Sequence, residues 1–113
     1  MHELSIVMSI IDIAERQASQ ANASVIDEIE LDIGTLSGIE FDALDFAWTE
    51  GVRKTILENA VRKINRIEAS ADCVDCGISF SIQHYYDPCP VCGGHLINIT
   101  KGKEMRVKSL VVS

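Results

Sequence analysis

The chain has 113 residues, of which 47% are hydrophobic and 5% aromatic, so it can form one compact domain with a mostly aliphatic core and one small module. Its formal net charge of −7 argues against binding to nucleic acid or to anionic membranes, because both ligands attract positive charge. No segment has the roughly 18 consecutive apolar residues of a membrane helix, and the first residues lack the basic start of a secretory signal, so we expect a cytoplasmic location.

The first half of the chain predicts a helix, a strand and a second helix. Residues 4–21 have apolar side chains at helical spacing, namely Leu4, Val7, Ile11, Ala14, Ala18 and Ala21. Residues 25–33 alternate, which predicts a half-buried strand whose apolar face has Val25, Ile29, Leu31 and Ile33. A turn at 34–38 follows, and Ser37 and Glu40 fit an S-x-x-E capping box. The apolar side of the second helix would then contain Phe41, Leu44, Trp48 and Val52.

The second half predicts two more strands around a cysteine-rich segment. Residues 60–69 form a weaker strand pattern, because charged and amide side chains interrupt it. Residues 69–72 look like a linker, and 73–95 contain the cysteines with little that could form a hydrophobic core. A valine-rich strand returns at 105–112, which indicates a module inserted between two strands of one sheet.

These elements together predict an α+β fold class. We expect a small three-stranded mixed sheet with two helices, plus an inserted zinc-ribbon-like module with four cysteines. An α/β domain would comprise residues 1–69 and be completed by a strand at 103–113, and the module would comprise 70–102.

The four cysteines form two C-x-x-C-G pairs, Cys73 with Cys76 and Cys89 with Cys92, separated by twelve residues. Each turn can direct two thiolates at one ion, and the glycine after the second cysteine accepts positive φ. Two such turns supply four sulfurs in a tetrahedron, which is the geometry of structural zinc. Because no ligand position stays open, we expect the zinc to hold the module together without catalysis.

Two other functions fit the cysteine pattern. Similar turns hold iron in rubredoxins, which are electron carriers, but this chain lacks their aromatic-rich core. A zinc-ribbon adaptor for nucleic acid or protein would need a basic stripe on the module. The residues available for such a stripe are His84, His95, Lys101 and Lys103.

The opening residues Met1, His2 and Glu3 form a second candidate metal site. The bulk of His2 should keep Met1 in place, so that the Met1 amine and the His2 backbone nitrogen and imidazole lie in one dipeptide. These donors can surround an ion in one plane, which suits Ni(II) or Cu(II), and Glu3 adds a carboxylate or a backbone nitrogen. The motif alone does not distinguish a metal site from an ordinary chain end, since a histidine at position 2 is also typical of an exposed terminus.

Several motifs occur together in this chain: Met1-His2-Glu3-Leu4-Ser5, Asp32-Ile33-Gly34, Phe46-Ala47-Trp48, the two cysteine pairs, Gly102-Lys103-Glu104-Met105 and Lys108-Ser109-Leu110. In order and spacing they resemble the HypA/HybF family of hydrogenase nickel-incorporation proteins over essentially the full length. One difference is Arg62, which stands where relatives tend to have an apolar residue and so suggests a twisted or edge strand.

The resemblance implies a nickel metallochaperone that delivers Ni(II) to the large-subunit precursor of nickel–iron hydrogenase. A nickel-handling GTPase would be its partner, and some relatives also serve urease. The nickel site would include His2 and Glu3, with the Met1 amine as a further donor, and the zinc site would consist of Cys73, Cys76, Cys89 and Cys92.

Other functional features are less marked in the sequence. No nucleophile–base pair, phosphate-binding loop or catalytic carboxylate pair stands out, so we expect no enzymatic activity. Glu40 could approach the nickel, although the capping box is the simpler interpretation, and exposure is the simpler one for His84 and His95. The oligomeric state, a homo-oligomer included, stays open.

Overall fold

The computed structural model describes residues 3–113. This part of the chain forms two helices and six strands: α1 (Glu3–Gln20), β1 (Ile26–Gly34), α2 (Phe41–Gly51), β2 (Val61–Ile67), β3 (Ser70–Cys73), β4 (Ser79–Ser81), β5 (Ile97–Lys101) and β6 (Met105–Val112). One sheet has the order β2-β1-β6 and the other the order β4-β3-β5, so the predicted α+β class is confirmed. None of the helices described is long and apolar enough to cross a bilayer.

The first sheet is mixed, as expected. Val25 and Ser113 exchange backbone hydrogen bonds, and Gly34 donates its N–H to the carbonyl of Glu104, so β1 and β6 run antiparallel. The N–H of Thr35 bonds the last residue of β2, which places the C-terminal ends of β1 and β2 together in a parallel pair. The strands before and after the cysteines, β2 and β6, both flank β1, and β2 lies at an edge as Arg62 suggested.

Both helices bury an apolar face that differs slightly from the predicted one. In α1, Ile10 is buried, whereas Leu4 is 55% exposed, and Ala21, just beyond the end of the helix, is exposed. In α2, Leu44 and Trp48 are buried as predicted, and so is Val52 just beyond the helix. In β1 the residues Ile29, Leu31 and Ile33 are buried as expected, but at the start of the strand Ile26 is buried and Val25 is exposed.

The capping box predicted at the start of α2 is wrong. The helix begins three residues later than that motif requires, with Glu40 as its N-cap and no side-chain cap hydrogen bond. Ser37 lies in the preceding turn, where its N–H bonds the carbonyl of Gly34. The N–H of Glu40 instead donates to the carboxylate of Glu3 at 3.2 Å, so a residue distant in sequence satisfies this backbone group.

The linker predicted at 69–72 is also wrong, because most of it forms the central strand of the second sheet. Strand β3 pairs antiparallel with both β4 and β5. Alternate small residues of this segment are buried, and they pack in a small apolar core that the sequence did not suggest. This core consists of Leu36, Ala69, Ala71 and Ile82, with Phe80, Ile97 and Ile99 packed against it.

By its contacts the chain divides into two compact units. One consists of residues 1–31, 39–64 and 107–113, and the other of 32–38 and 65–106. Three of the four boundaries fall within the strands of the first sheet, and the fourth, at 38/39, lies in the turn before α2. The domain limits predicted at 69/70 and 102/103 stay a prediction.

A buried carboxylate connects β1, β2 and β6. Asp32 on β1 is 5% exposed. Its Oδ1 accepts a hydrogen bond from Asn65 Nδ2 on β2 at 2.9 Å, and its Oδ2 accepts bonds from Arg106 Nε at 2.9 Å and Nη2 at 2.8 Å on β6. Buried carboxylates are stable when they are paired and hydrogen-bonded in this way.

We predict that Asp32→Ala lowers the free energy of unfolding by about 1–2 kcal/mol, because Asn65 and Arg106 lose the carboxylate that they bind, while the Arg106 side chain, 64% exposed, can bind water instead. Urea denaturation followed by circular dichroism would measure the change. The matched control is Asp12→Ala, which removes an ion pair with Arg16 whose side chains are both about two-thirds exposed, and we expect a change below about 0.5 kcal/mol there. Equal effects of the two substitutions would contradict the role given to Asp32.

Candidate metal centre

The two cysteine pairs form nearly identical turns. In the first turn the N–H of Gly77 bonds the carbonyl of Cys73 at 2.9 Å, and in the second the N–H of Gly93 bonds the carbonyl of Cys89 at 2.9 Å. Both glycines have positive φ, 76° and 72°, as the sequence predicted. The repeated backbone geometry therefore directs the two cysteines of each pair to the same side of the turn.

The four sulfurs converge on one point. All four Sγ atoms lie within 4.8 Å of one another, and the pairs between turns are close, with 3.6 Å from Cys73 to Cys92 and 3.5 Å from Cys76 to Cys89. A tetrahedral ion with zinc–sulfur bonds of about 2.3 Å needs sulfurs about 3.8 Å apart. The arrangement thus fits a four-coordinate thiolate site, and all four cysteines are unbridged.

Burial and backbone donors make the four sulfurs unequal. Cys73 and Cys89 are buried, and Cys76 and Cys92 are exposed. Backbone N–H groups, that of Cys92 first, lower the pKa of the Cys89 thiol to about 6. The N–H of Ile78 lowers the pKa of Cys76, but the sulfur of Cys89 and desolvation outweigh it and raise this pKa to about 12. The sulfurs by themselves favour a thiolate at Cys89, whereas a bound ion requires all four as thiolates.

At the N-terminus, the predicted ligands Met1 and His2 lie outside the described residues. Glu3, the first described residue, is buried at the start of α1. The N–H of Glu40 holds the pKa of the Glu3 carboxyl below its usual value, so this group is a carboxylate at neutral pH. The backbone of Glu40 therefore lies beside Glu3, whereas the sequence had suggested only its side chain.

The histidines of the module have different surroundings. His84 stacks on Tyr86 with 5.0 Å between ring centroids, and its Nδ1 is 3.4 Å from the carboxylate of Asp87. His95 is exposed, as expected. The sequence interpretation missed Tyr85, whose hydroxyl donates to the carbonyl of Leu36 at 2.7 Å. This contact joins residues 49 positions apart, and no local pattern signals it.

The fold and the cysteine cluster define a small α+β metal-binding protein with an inserted four-cysteine module. Residues 1–112 match the family model described as hydrogenase/urease nickel incorporation, metallochaperone, HypA. The chain belongs to the HypA family of nickel metallochaperones for hydrogenase maturation. It is therefore a metallochaperone and not an enzyme.

Relatives match over almost the whole chain. A hydrogenase maturation factor HypA from Parabacteroides distasonis is 46% identical over 112 residues, covering 99% of this chain and 97% of the relative. The corresponding factor from Geobacter metallireducens is 38% identical, with 99% of both chains covered. The solution structure of the Ni metallochaperone HypA from Helicobacter pylori has a TM-score of 0.68 at 29% identity, covering 99% of this chain and 97% of that one. A second HypA solution structure has a TM-score of 0.72 at 28% identity, covering 100% and 97%.

Proposed function

We propose that this protein binds Ni(II) at its N-terminus and delivers it to the large-subunit precursor of nickel–iron hydrogenase. The observation that supports this most strongly is the match to the nickel-incorporation family over residues 1–112, which includes the opening Met1, His2 and Glu3. The ligands we assign are the His2 imidazole, nearby backbone nitrogens and the Met1 amine, with Glu3 assisting. Such nitrogen donors in one plane suit Ni(II).

Glu3 supports the nickel through its position. Its carboxylate accepts the N–H of Glu40 at 3.2 Å, which ties the first turn of α1 to the start of α2. Because Glu3 directly follows His2, this bond limits where the preceding donors can lie. The carboxylate already accepts the N–H of Glu40. We therefore expect Glu3 mainly to orient the site, and to bind the ion only through lone pairs that this hydrogen bond leaves available.

The four cysteines are proposed to hold one Zn(II) as a structural ion. The sulfur spacing and the closed set of four thiolates support this ion, and zinc when bound supplies a rigid link between the two turns. The turns themselves contribute little apolar burial, since Val74 and Val91 between the cysteines are 63% and 72% exposed. Zinc binding would therefore supply most of the stability of the segment between Cys73 and Gly94.

The proposed partners are the hydrogenase precursor and a nickel-handling GTPase, which provides the nucleotide hydrolysis that a metallochaperone itself lacks. A cytoplasmic location and the absence of nucleic-acid or membrane ligands stay predictions from charge and sequence. Whether urease is also served is open, although the family description includes it.

The zinc proposal predicts that Cys73→Ala or Cys92→Ala loses the ion and disorders the two cysteine turns. Helices α1 and α2 should survive, because their buried side chains belong to the other unit. Metal analysis and amide NMR would measure both effects, with Ser81→Ala, in an exposed position of β4, as the control. A zinc-free variant with all four cysteines replaced by alanine that kept native amide shifts over 73–94 would refute the proposal.

The nickel proposal predicts one Ni(II) per chain, lost on His2→Ala without change in zinc content or helical signal. Calorimetric titration of zinc-loaded protein measures it, and His95→Ala is the control, since it removes an exposed imidazole of the cysteine module. The imidazole and backbone nitrogens must lose protons to bind, so acidification should release nickel before the thiolates release zinc. Nickel binding of parental strength in the His2→Ala protein would place the site elsewhere.

Delivery can be tested separately from binding. In a strain that lacks this gene and any second copy, we expect hydrogenase activity at low nickel to fall to near background. The parental gene should restore it, and the His2→Ala gene should not, whereas the His95→Ala gene should. Normal hydrogenase activity in the deletion strain at low nickel would rule out the delivery role.

A further inference from the structure

Two nearby lysines of the cysteine-containing unit, Lys101 and Lys103, form no ion pair with a carboxylate among residues 3–113. Lys101 is the last residue of β5, Lys103 lies beyond Gly102 in the loop to β6, and both are exposed. The protein has 17 carboxylates for 10 lysines and arginines, and most other cations are paired. Within residues 3–113, ion pairs are formed by Arg16, Arg53, Arg62, Lys63, Arg106 and Lys108, and Arg66 also has an interaction partner. The nearest acid in sequence, Glu104, accepts the N–H of Gly102 at 2.7 Å instead.

An aromatic ring lies beside these lysines in a fixed position. The Nζ of Lys103 is 5.9 Å from the ring centroid of Tyr85, within the range of a cation–π contact. The Tyr85 hydroxyl is held by the carbonyl of Leu36. Asp87 closes the loop around the ring by accepting the N–H groups of Gln83 and His84 at 2.7 and 3.1 Å. Tyr85 is 55% exposed, and these hydrogen bonds hold it in place, so it presents a surface that is ordered before any partner binds.

A groove and an outer strand edge complete this surface. The groove has a volume of about 280 Å³ and is lined by Ile99, Thr100, Lys101, Lys103 and Glu104. Among residues 3–113, strand β5 is at the edge of its sheet and pairs with β3 alone. Half of its backbone N–H and C=O groups therefore point away from the sheet, where an extended segment can pair with them.

We propose that this surface, formed by β5, Lys101, Lys103 and Tyr85, binds an extended acidic segment of a partner protein. The backbone of the segment would add to β5, its carboxylates would bind the two lysines, and an apolar side chain would pack between Ile99 and Tyr85. A protein segment fits better than a polyanion, because the rest of the chain is acidic and two lysines neutralise few phosphates. The proposal concerns recognition only and is independent of nickel binding.

The test uses zinc-loaded protein and a short labelled peptide in which glutamates alternate with valines. Fluorescence anisotropy should show saturable binding that weakens with added salt, since the charges are exposed. Lys101→Gln and Lys103→Gln should each weaken binding about two- to fivefold. Lys54→Gln is the matched control, because Lys54 is exposed, lies in the other unit and has no ion pair among the described residues. Amide NMR shifts on titration should concentrate at residues 97–104.

Three results would overturn the proposal. The peptide could fail to bind, it could bind the Lys101→Gln and Lys103→Gln proteins as well as the parent, or it could shift only amides outside β5, the following loop and the residues around Tyr85. Tighter binding of single-stranded DNA or of phosphatidylserine vesicles through the same lysines would also overturn it, in favour of a polyanion surface. Unchanged zinc content in each variant excludes loss of folding as the cause, and none of these results bears on the nickel assignment.

Discussion

The carboxylate of Asp32 is the constraint on which the connections between the elements depend. It is buried on β1 and binds Asn65 on β2 and Arg106 on β6, so it fixes the three strands at the point where the chain leaves and re-enters the sheet. After β1 the chain turns and reaches Glu40, whose N–H binds the carboxylate of Glu3. After β2 the chain continues directly into β3, which ends at Cys73. Asp32 thus holds β1, β2 and β6 together beside the turn that leads to α2 and the strand that leads to the cysteines.

The cysteine centre could be predicted from sequence because its geometry is local. The C-x-x-C-G pattern specifies a turn, and the positive φ values of Gly77 and Gly93 agree with it. The start of α2 could not be predicted in the same way. The S-x-x-E pattern is a real signal for a cap, but the donor it would satisfy is taken by Glu3, 37 residues away. Strand β3 was missed for a similar reason, since an alternation of only four small residues becomes a strand when β4 and β5 pair on both sides.

The positions of the sulfurs define the geometry of the metal site, but they do not by themselves identify the metal. Four sulfurs 3.5 to 3.6 Å apart between turns suit zinc, but tetrahedral thiolate sites also hold iron. The nickel-incorporation family decides between a metal carrier and an electron carrier, and it supplies the cargo that no residue pattern could name. Asp32 illustrates the opposite case: the sequence placed it in a family motif, and only the folded chain reveals its partners, 33 and 74 residues away.

Gly102 limits how this protein can evolve. Its φ is +112°, and a Cβ there would lie 2.5 Å from the Cα of Ala69. Every replacement adds that atom. Each substitution of Gly102 therefore strains the backbone and creates a clash with Ala69, the residue directly before β3. The neighbouring lysines are exposed and face no such restriction. Natural selection can therefore change the charge at positions 101 and 103 while Gly102 keeps the backbone conformation between these positions unchanged.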